Sequence, residues 1–440
     1  MVNAFVSWPS APLTDSLVRR ALSRIDIPVS YIAKDQRSSS DAPLLQWCTY
    51  DEMDHELAHF KRDTVLSSSY TFRKALIRKH YLSRVIQTYL KKQPQSILEY
   101  ACPLTFEIEI SFADELDEMW TDELWELGEK LDAGSSWWIL KPGMADRGMG
   151  IRMFNTKEDL QNIFESFEDD SEDEAEEAVE EEDGTAVVTS QLRHFVIQEY
   201  IMTPLLLDPS ETMEKTHTST NLTGRKFHLR VYCISKGDIQ LFVYNRILAL
   251  FSSAPYSLPD ETEDCSEIDL KPHLTNTSLQ TELGDSNVRL LDELEGCTIL
   301  SGSDPRKLKK SDILLLISQI KDILAETFKA GLQNPVHFQA LPNAFELFGV
   351  DFVVSHSAST KTNPFLVKIL EINAEPAIEL TGPRLKWILE DLFVSGAKIC
   401  VEPFFGDKIH STEPWNIGEV RNNLIKCMDE EVRGPQPTAI

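Results

Sequence analysis

Along this chain, short segments with a definite apolar period alternate with long polar stretches. Residues 73–90, RKALIRKHYLSRVIQTYL, place Leu76, Ile77, Leu82, Val85, Ile86 and Leu90 at helical spacing with basic residues between them. That pattern predicts one amphipathic helix. WWILK (137–141) is a short apolar strand ending on a lysine, HFVIQEYI (194–201) reads as another, and 226–233 and 239–251 as two more. Helices are expected over 311–330 and about 382–398, with a strand pair, LFGVDFVV (347–354) and FLVKILEIN (365–373), between them. Strands interleaved with helices, with hairpins among them, indicate an α/β or α+β architecture.

The polar stretches carry most of the charge asymmetry. Of 440 residues, 43 are Lys or Arg and 71 Asp or Glu, a net charge of −28. Residues 165–183 hold 13 acidic side chains and no basic one, which predicts a disordered insertion. Residues 208–224 and 252–272 read as long loops, and the chain after about 406 as a frayed tail. A chain this acidic has no general basic face for nucleic acid or for an anionic membrane. No apolar run reaches the ~20 residues needed to span a bilayer, and no secretory signal is visible at the start. Seven scattered cysteines without a CxxC pair fit reduced thiols. A soluble, cytoplasmic protein is expected.

Within the patterned segments, three places carry candidate chemistry. On a strand over 226–233, Lys226, His228, Arg230 and Tyr232 share one face, and Phe227, Leu229, Val231 and Cys233 the other. The first face is either the solvated side of an edge strand or a row of cations awaiting anions. Asp351 sits among apolar neighbours, and Glu371 and Asn373, two apart, end an apolar strand. Together they suit a hard cation such as Mg²⁺; separately each is an ordinary strand-end or capping residue. Lys141 precedes a loop with Gly143, Gly148 and Gly150, which is either a phosphate cradle or a plain turn.

These elements in this order resemble the tubulin–tyrosine ligase family of ATP-grasp enzymes. The resemblance rests on WWILKPGMADRGMGI (137–151), FVIQEYIMTPLLL (195–207), GRKFHLRVYCI (224–234), HLTNTSLQ (273–280), and FELFGVDFVV with FLVKILEINAEPAIE (345–354 and 365–379), and more faintly on 45–90. It implies an ATP-grasp fold with a smaller N-terminal α/β domain over 1–90. A central subdomain over 91–197, a C-terminal subdomain over 198–405 and a tail over 406–440 would follow. It implies ATP and Mg²⁺ as cofactors. Lys141 and Lys226 would contact phosphates, with Arg147, Gly148, Gly150 and His228 also on the nucleotide. Gln198, Glu199, Tyr200 and Ile201 would form the adenine hinge, the backbone of Glu199 and Ile201 reading the base. Asp351, Glu371 and Asn373 would hold Mg²⁺. Arg230 and Arg246 would meet the acceptor carboxylate, with His273 and Asn276 lining the same pocket. His228 stands where the family usually has an acidic residue. The implied reaction joins free tyrosine to the C-terminal tail of detyrosinated α-tubulin through an acylphosphate. The protein would be a monomer or a complex with tubulin, and the basic residues Arg73, Lys74, Arg78, Lys79 and His80 would offer a local surface to the acidic tail. The alternatives are a ligase for another amino acid or acceptor, and a non-catalytic scaffold that keeps the fold.

Overall fold

The computed structural model describes residues 1–37, 42–134, 136–143, 150–177, 193–212, 221–259, 268–275, 287–302, 306–357, 363–406 and 414–431. Three sheets organise them. The first is parallel, in the order Val29–Tyr31, Val2–Ser7, Leu44–Cys48, Val65–Ser67. The helix Pro12–Leu22 crosses between its first two strands and buries Leu17, Val18, Ala21 and Leu22. The second is antiparallel, in the order Thr105–Glu109, His194–Glu199, Trp138–Pro142, Arg152–Phe154.

The third sheet has nine strands and is built around Arg225–Lys236. One edge of that strand pairs with Phe345–His356, and the other is shared by Leu248–Phe251 and Gln240–Tyr244. It is therefore a central strand, and the solvated-edge reading of its charged face falls. Phe227, Leu229, Val231 and Cys233 enter the main core as expected, against the helix Lys310–Leu332 and Phe345–His356. Lys226, His228 and Tyr232 on the other face are buried too.

Four expectations are corrected. The segment 73–90 is not one helix: it breaks at Arg78, whose extended backbone separates Lys74–Ile77 from Lys79–Lys92. The stretch 239–251 is two strands, Gln240–Tyr244 and Leu248–Phe251, each pairing with a different half of Arg225–Lys236. The acidic run starts as helix, not as disordered chain. Lys157–Glu177 is helical because its first half buries Leu160, Ile163, Phe164 and Phe167; residues 178–183 lie outside the described residues. The chain after 406 is no frayed tail throughout, since Leu424–Asp429 pairs with Gln240–Tyr244 in the nine-stranded sheet.

Candidate active site

The site forms where three strands carry ionisable residues into register. Arg230 stands opposite Asp351 on the neighbouring strand, and Asp351 stands opposite Glu371 on the next. Residues directly opposite in an antiparallel ladder project from the same face, so the three charges form a row. A β-bulge sets this up. The ladder passes from Phe352↔Ile369 to Asp351↔Glu371, leaving Leu370 unpaired. Without that extra residue Asp351 would face Leu370, and Glu371 would face Val350, whose side chain is in the main core.

The Arg230 guanidinium grips both oxygens of Asp351, its Nη2 donating to Oδ2 at 3.0 Å. This carboxylate and the surrounding charge raise the arginine above its usual value even though burial opposes it. Asn373 Nδ2 donates to Glu371 Oε1 at 3.1 Å, and Lys79 Nζ lies 3.2 Å from Glu371 Oε2. Burial would raise the Glu371 carboxyl, but Lys79, Lys141 and Asn373 hold it well below the usual carboxylate range. Glu371 is thus ionised and ready to act as an oxygen ligand.

Two lysines stand beside this row, Lys226 on the same strand face as Arg230 and Lys141 on Trp138–Pro142 of the four-stranded antiparallel sheet. Lys141 Nζ donates to Gln198 Oε1 at 2.6 Å, and Gln198 Nε2 donates on to Thr105 Oγ1 at 3.2 Å. Lys226 Nζ sits 4.2 Å from the centre of the Tyr200 ring. Neither lysine forms an ion pair among the described residues. Burial pushes Lys141 down to about 8, and burial together with Lys141 pushes Lys226 down to about 7. A buried cation without a carboxylate partner is costly unless an anion meets it. Tyr200 and His273 hydrogen-bond through Oη and Nδ1 at 3.0 Å, and burial followed by Lys226 lowers His273 to about 4. His228 Nδ1 lies 2.6 Å from Thr275 Oγ1, and its buried Nε2 has no hydrogen-bond partner among the described residues and lies 3.6 Å from Asp351 Oδ1. Burial lowers its pKa, so a neutral ring occupies the position. In the tautomer in which Thr275 donates to Nδ1, Nε2 carries the proton and can donate to an anion in the cavity.

These residues enclose a cavity of about 70 Å³ lined by Lys141, Lys226, Asp351 and Glu371. A second space of about 290 Å³ opens beyond Lys141 and Gln198, against the helix Lys79–Lys92. The unpaired buried lysines fit a polyphosphate, and Asp351, Glu371 and Asn373 fit a hard cation shared with it. Among the described residues there is no cluster of three or more His, Cys, Asp or Glu side chains that would hold a metal unaided.

Other expected residues have neighbours of their own. The Glu199 amide donates to the Leu104 carbonyl at 2.8 Å, so it is not free to read adenine. Arg246, in the turn between Gln240–Tyr244 and Leu248–Phe251, lies 5.6 Å from the Trp387 ring centre. Gly143 is tightly enclosed: a Cβ there would come within 2.9 Å of the His194 carbonyl and His80. Gly150 has a positive φ of 67°. Arg147, Gly148 and Asn276 lie outside the described residues. The basic N-terminal surface is largely internal. Arg73 is buried in an ion pair with Glu346, His80 is buried and stacks on His194, and Lys79 turns inward to Glu371. Sequence reasoning missed Lys79 as a site residue; its only signal was its place beside the helix break.

The description "tubulin-tyrosine ligase family" matches residues 61–408. The chain belongs to the tubulin–tyrosine ligase family. It is 37% identical over 440 residues to the "probable tubulin–tyrosine ligase PBY1" of Saccharomyces cerevisiae, covering 96% of this chain and 54% of that protein. A "probable tubulin–tyrosine ligase" of Schizosaccharomyces pombe is 36% identical over 375 residues, 82% of this chain and 83% of that protein. The chain therefore spans about half the length of the budding-yeast relative. A crystal structure of the C-terminal domain of K. lactis Pby1, described as an ATP-grasp enzyme interacting with the mRNA decapping enzyme Dcp2, superposes with a TM-score of 0.65 at 30% identity. It covers 98% of this chain and 100% of that one. The fold of this family member is ATP-grasp.

Lys226 gives the site a pH signature. Its folded value of about 7 lies below the ordinary ~10.4 of an unfolded lysine. Between those values the unfolded chain binds more protons, so this lysine's penalty is full below pH 7 and fades as pH rises towards 10. Lys226→Met is expected to be more stable than the native protein at pH 6 by on the order of 4–5 kcal/mol, and equal to it near pH 10. Urea unfolding at the two pH values checks this; a constant difference would mean that Lys226 is charged in the folded state throughout.

Proposed function

We propose that the chain is an ATP- and Mg²⁺-dependent carboxylate–amine ligase that joins free tyrosine to the C-terminal glutamate of detyrosinated α-tubulin. The single observation that supports it most is the meeting of two buried lysines that have no carboxylate partner with Asp351 and Glu371 in the lining of one 70 Å³ cavity, Asn373 standing behind Glu371 as its hydrogen-bond donor. Lys141 and Lys226 would bind the triphosphate, and Asp351, Glu371 and Asn373 the metal. When bound, MgATP supplies the phosphoryl group that turns a poor electrophile, the acceptor carboxylate, into an acylphosphate. The remaining work belongs to this chain's own groups. Lys226 and Lys141 offset the repulsion between phosphate and carboxylate. Arg230 has five N–H donors, two of them on Asp351, which leaves three for the incoming acceptor carboxylate. The neutral His228 adds a donor without adding charge. The setting would be cytoplasmic, with neither nucleic acid nor membrane involved.

A second reading keeps the ligase and changes the acceptor. It is motivated by the K. lactis relative, which is described as interacting with the decapping enzyme Dcp2. The test is incubation with MgATP and labelled tyrosine, glutamate or glycine, with detyrosinated tubulin and the decapping enzyme as parallel acceptors. Before any acceptor is added, MgATP should stabilise the fold, by about 2.7 kcal/mol at a hundredfold excess over Kd. A thermal shift with no Mg²⁺ dependence at millimolar ATP would remove the nucleotide site and with it both readings.

A further inference from the structure

A row of hydrogen-bonded side chains runs from the strand Thr105–Glu109 into the nucleotide site. Gln198 stands directly opposite Thr105 in one ladder of the four-stranded sheet and opposite Ile139 in the next. Lys141 is two residues beyond Ile139, so Thr105, Gln198 and Lys141 project from one face, with Lys141 diagonal to Gln198. A long side chain can reach across that diagonal. Lys141 and Gln198 are buried and line both the cavity of about 70 Å³ and the space of about 290 Å³. Thr105 is half-buried and lines only the larger space.

The chemistry of these groups leaves one way to connect them. Thr105 Oγ1 donates to the Pro103 carbonyl at 2.9 Å, and a carbonyl only accepts, so the hydroxyl proton is spent there. What Thr105 offers Gln198 is a lone pair, and the end of the amide that meets it, at 3.2 Å, is Nε2. The amide oxygen is thereby turned to Lys141, whose ammonium has protons to give and no lone pair. Both ends of the relay thus demand the same orientation of the Gln198 amide. The backbone around Thr105 is fixed as well. Gln87, on the helix Lys79–Lys92, donates through Nε2 to the Thr105 carbonyl at 2.7 Å, and the Glu199 amide donates to the Leu104 carbonyl at 2.8 Å. An amide is a different partner from a carboxylate: it takes one proton of the ammonium and neutralises nothing. Lys141 keeps its charge and two further N–H donors for an incoming anion.

We propose that Thr105 is a positioning residue for phosphate binding: it locks the Gln198 amide, the locked amide aims Lys141, and the Gln198 side chain serves the phosphates rather than the adenine edge. The inference rests on the ligase reading and extends it to a residue that touches no substrate. Without the lock the amide is free to turn and present Nε2 to the ammonium, donor against donor. Lys141 would then lose its fixed direction and be drawn to Glu371, the carboxylate whose charge already acts on it. A lysine paired with Glu371 brings less charge to the phosphates and competes with the metal for the same oxygens.

The test is calorimetric titration of the full chain with ATP in Mg²⁺, without any acceptor. Thr105→Val keeps the shape and the strand preference but has no lone pair, and should weaken ATP about tenfold, as expected when a hydrogen bond to a charged group is upset. Thr105→Ser restores the hydroxyl and should bind ATP within about twofold of the native chain. In a Lys141→Met background Thr105→Val should cost nothing further, because its effect passes through the lysine. Gln198→Glu keeps an oxygen for Lys141 but cancels its charge, and should weaken ATP at least as much as Thr105→Val does. A loss that persists undiminished in the Lys141→Met background, failure of serine to restore binding, or native affinity in Thr105→Val, Gln198→Glu or Lys141→Met overturns the relay, while ATP binding by the native chain keeps the ligase reading. A native chain that binds no ATP would instead bring down that reading and the relay with it.

Discussion

Glu371→Gln is expected to leave the protein folded and to lower the ligation rate by roughly 10²–10³-fold, the usual loss when one preorganised electrostatic group is removed. The substitution is nearly isosteric and keeps an oxygen to accept from Asn373 Nδ2. What disappears is the negative charge that Lys79 and Lys141 hold in place. Lys79 then loses its carboxylate partner, so the cation balance of the site changes together with its metal affinity. Single-turnover transfer of labelled tyrosine at saturating Mg²⁺ measures the effect, and circular dichroism confirms the fold. A native rate in the variant would place the metal elsewhere.

Arg230→Ala should act first on stability and only then on the acceptor. The arginine and Asp351 form a bidentate pair in the middle of the sheet, with 15% and 8% of their side chains exposed. Removing one partner of such a pair leaves the other charge uncompensated, a loss of about 3–5 kcal/mol. Arg230→Ala with Asp351→Asn should recover a large part of that loss, because the orphaned charge is removed as well. Urea unfolding of the native protein, both single variants and the double variant gives the coupling. Strict additivity of the two single effects would show that the pair is not coupled in solution. The resemblance alone gave Arg230 to the acceptor carboxylate, whereas the structure shows a residue whose guanidinium also holds the Asp351 carboxylate in position.

What could be read from the chain was what one strand carries by itself. Alternation over 226–233 separated Phe227, Leu229, Val231 and Cys233 from Lys226, His228 and Arg230, and the fold keeps that division. Whether the second face is wet or buried depends on both neighbours of the strand, and those come from residues about 20 and 120 positions further on. The Asp351–Glu371 pairing depends on a bulge, which belongs to two strands at once. Lys79 and Arg73 looked like helix-surface charges because a lysine facing water and one facing a carboxylate nearly 300 residues away have the same local sequence. A cavity of about 590 Å³ bordered by Glu375 and Pro376 was hardly legible, since its walls come from positions as far apart as Trp8 and Phe393.

The pairing of Leu424–Asp429 with Gln240–Tyr244 has a consequence for how the protein is made. During synthesis, the strands that carry Lys226, Arg230, Asp351 and Glu371 leave the ribosome well before residue 424. Until then Gln240–Tyr244 presents an unpaired edge, and Leu241 and Val243 wait for the neighbours Cys427 and Met428 that share their core. Contacts this distant in sequence form slowly, and an open strand edge invites pairing with another chain. The nascent protein thus holds a nearly complete nine-stranded sheet whose Gln240–Tyr244 edge stays open until Leu424–Asp429 has been made, and in that interval it is most exposed to mispairing.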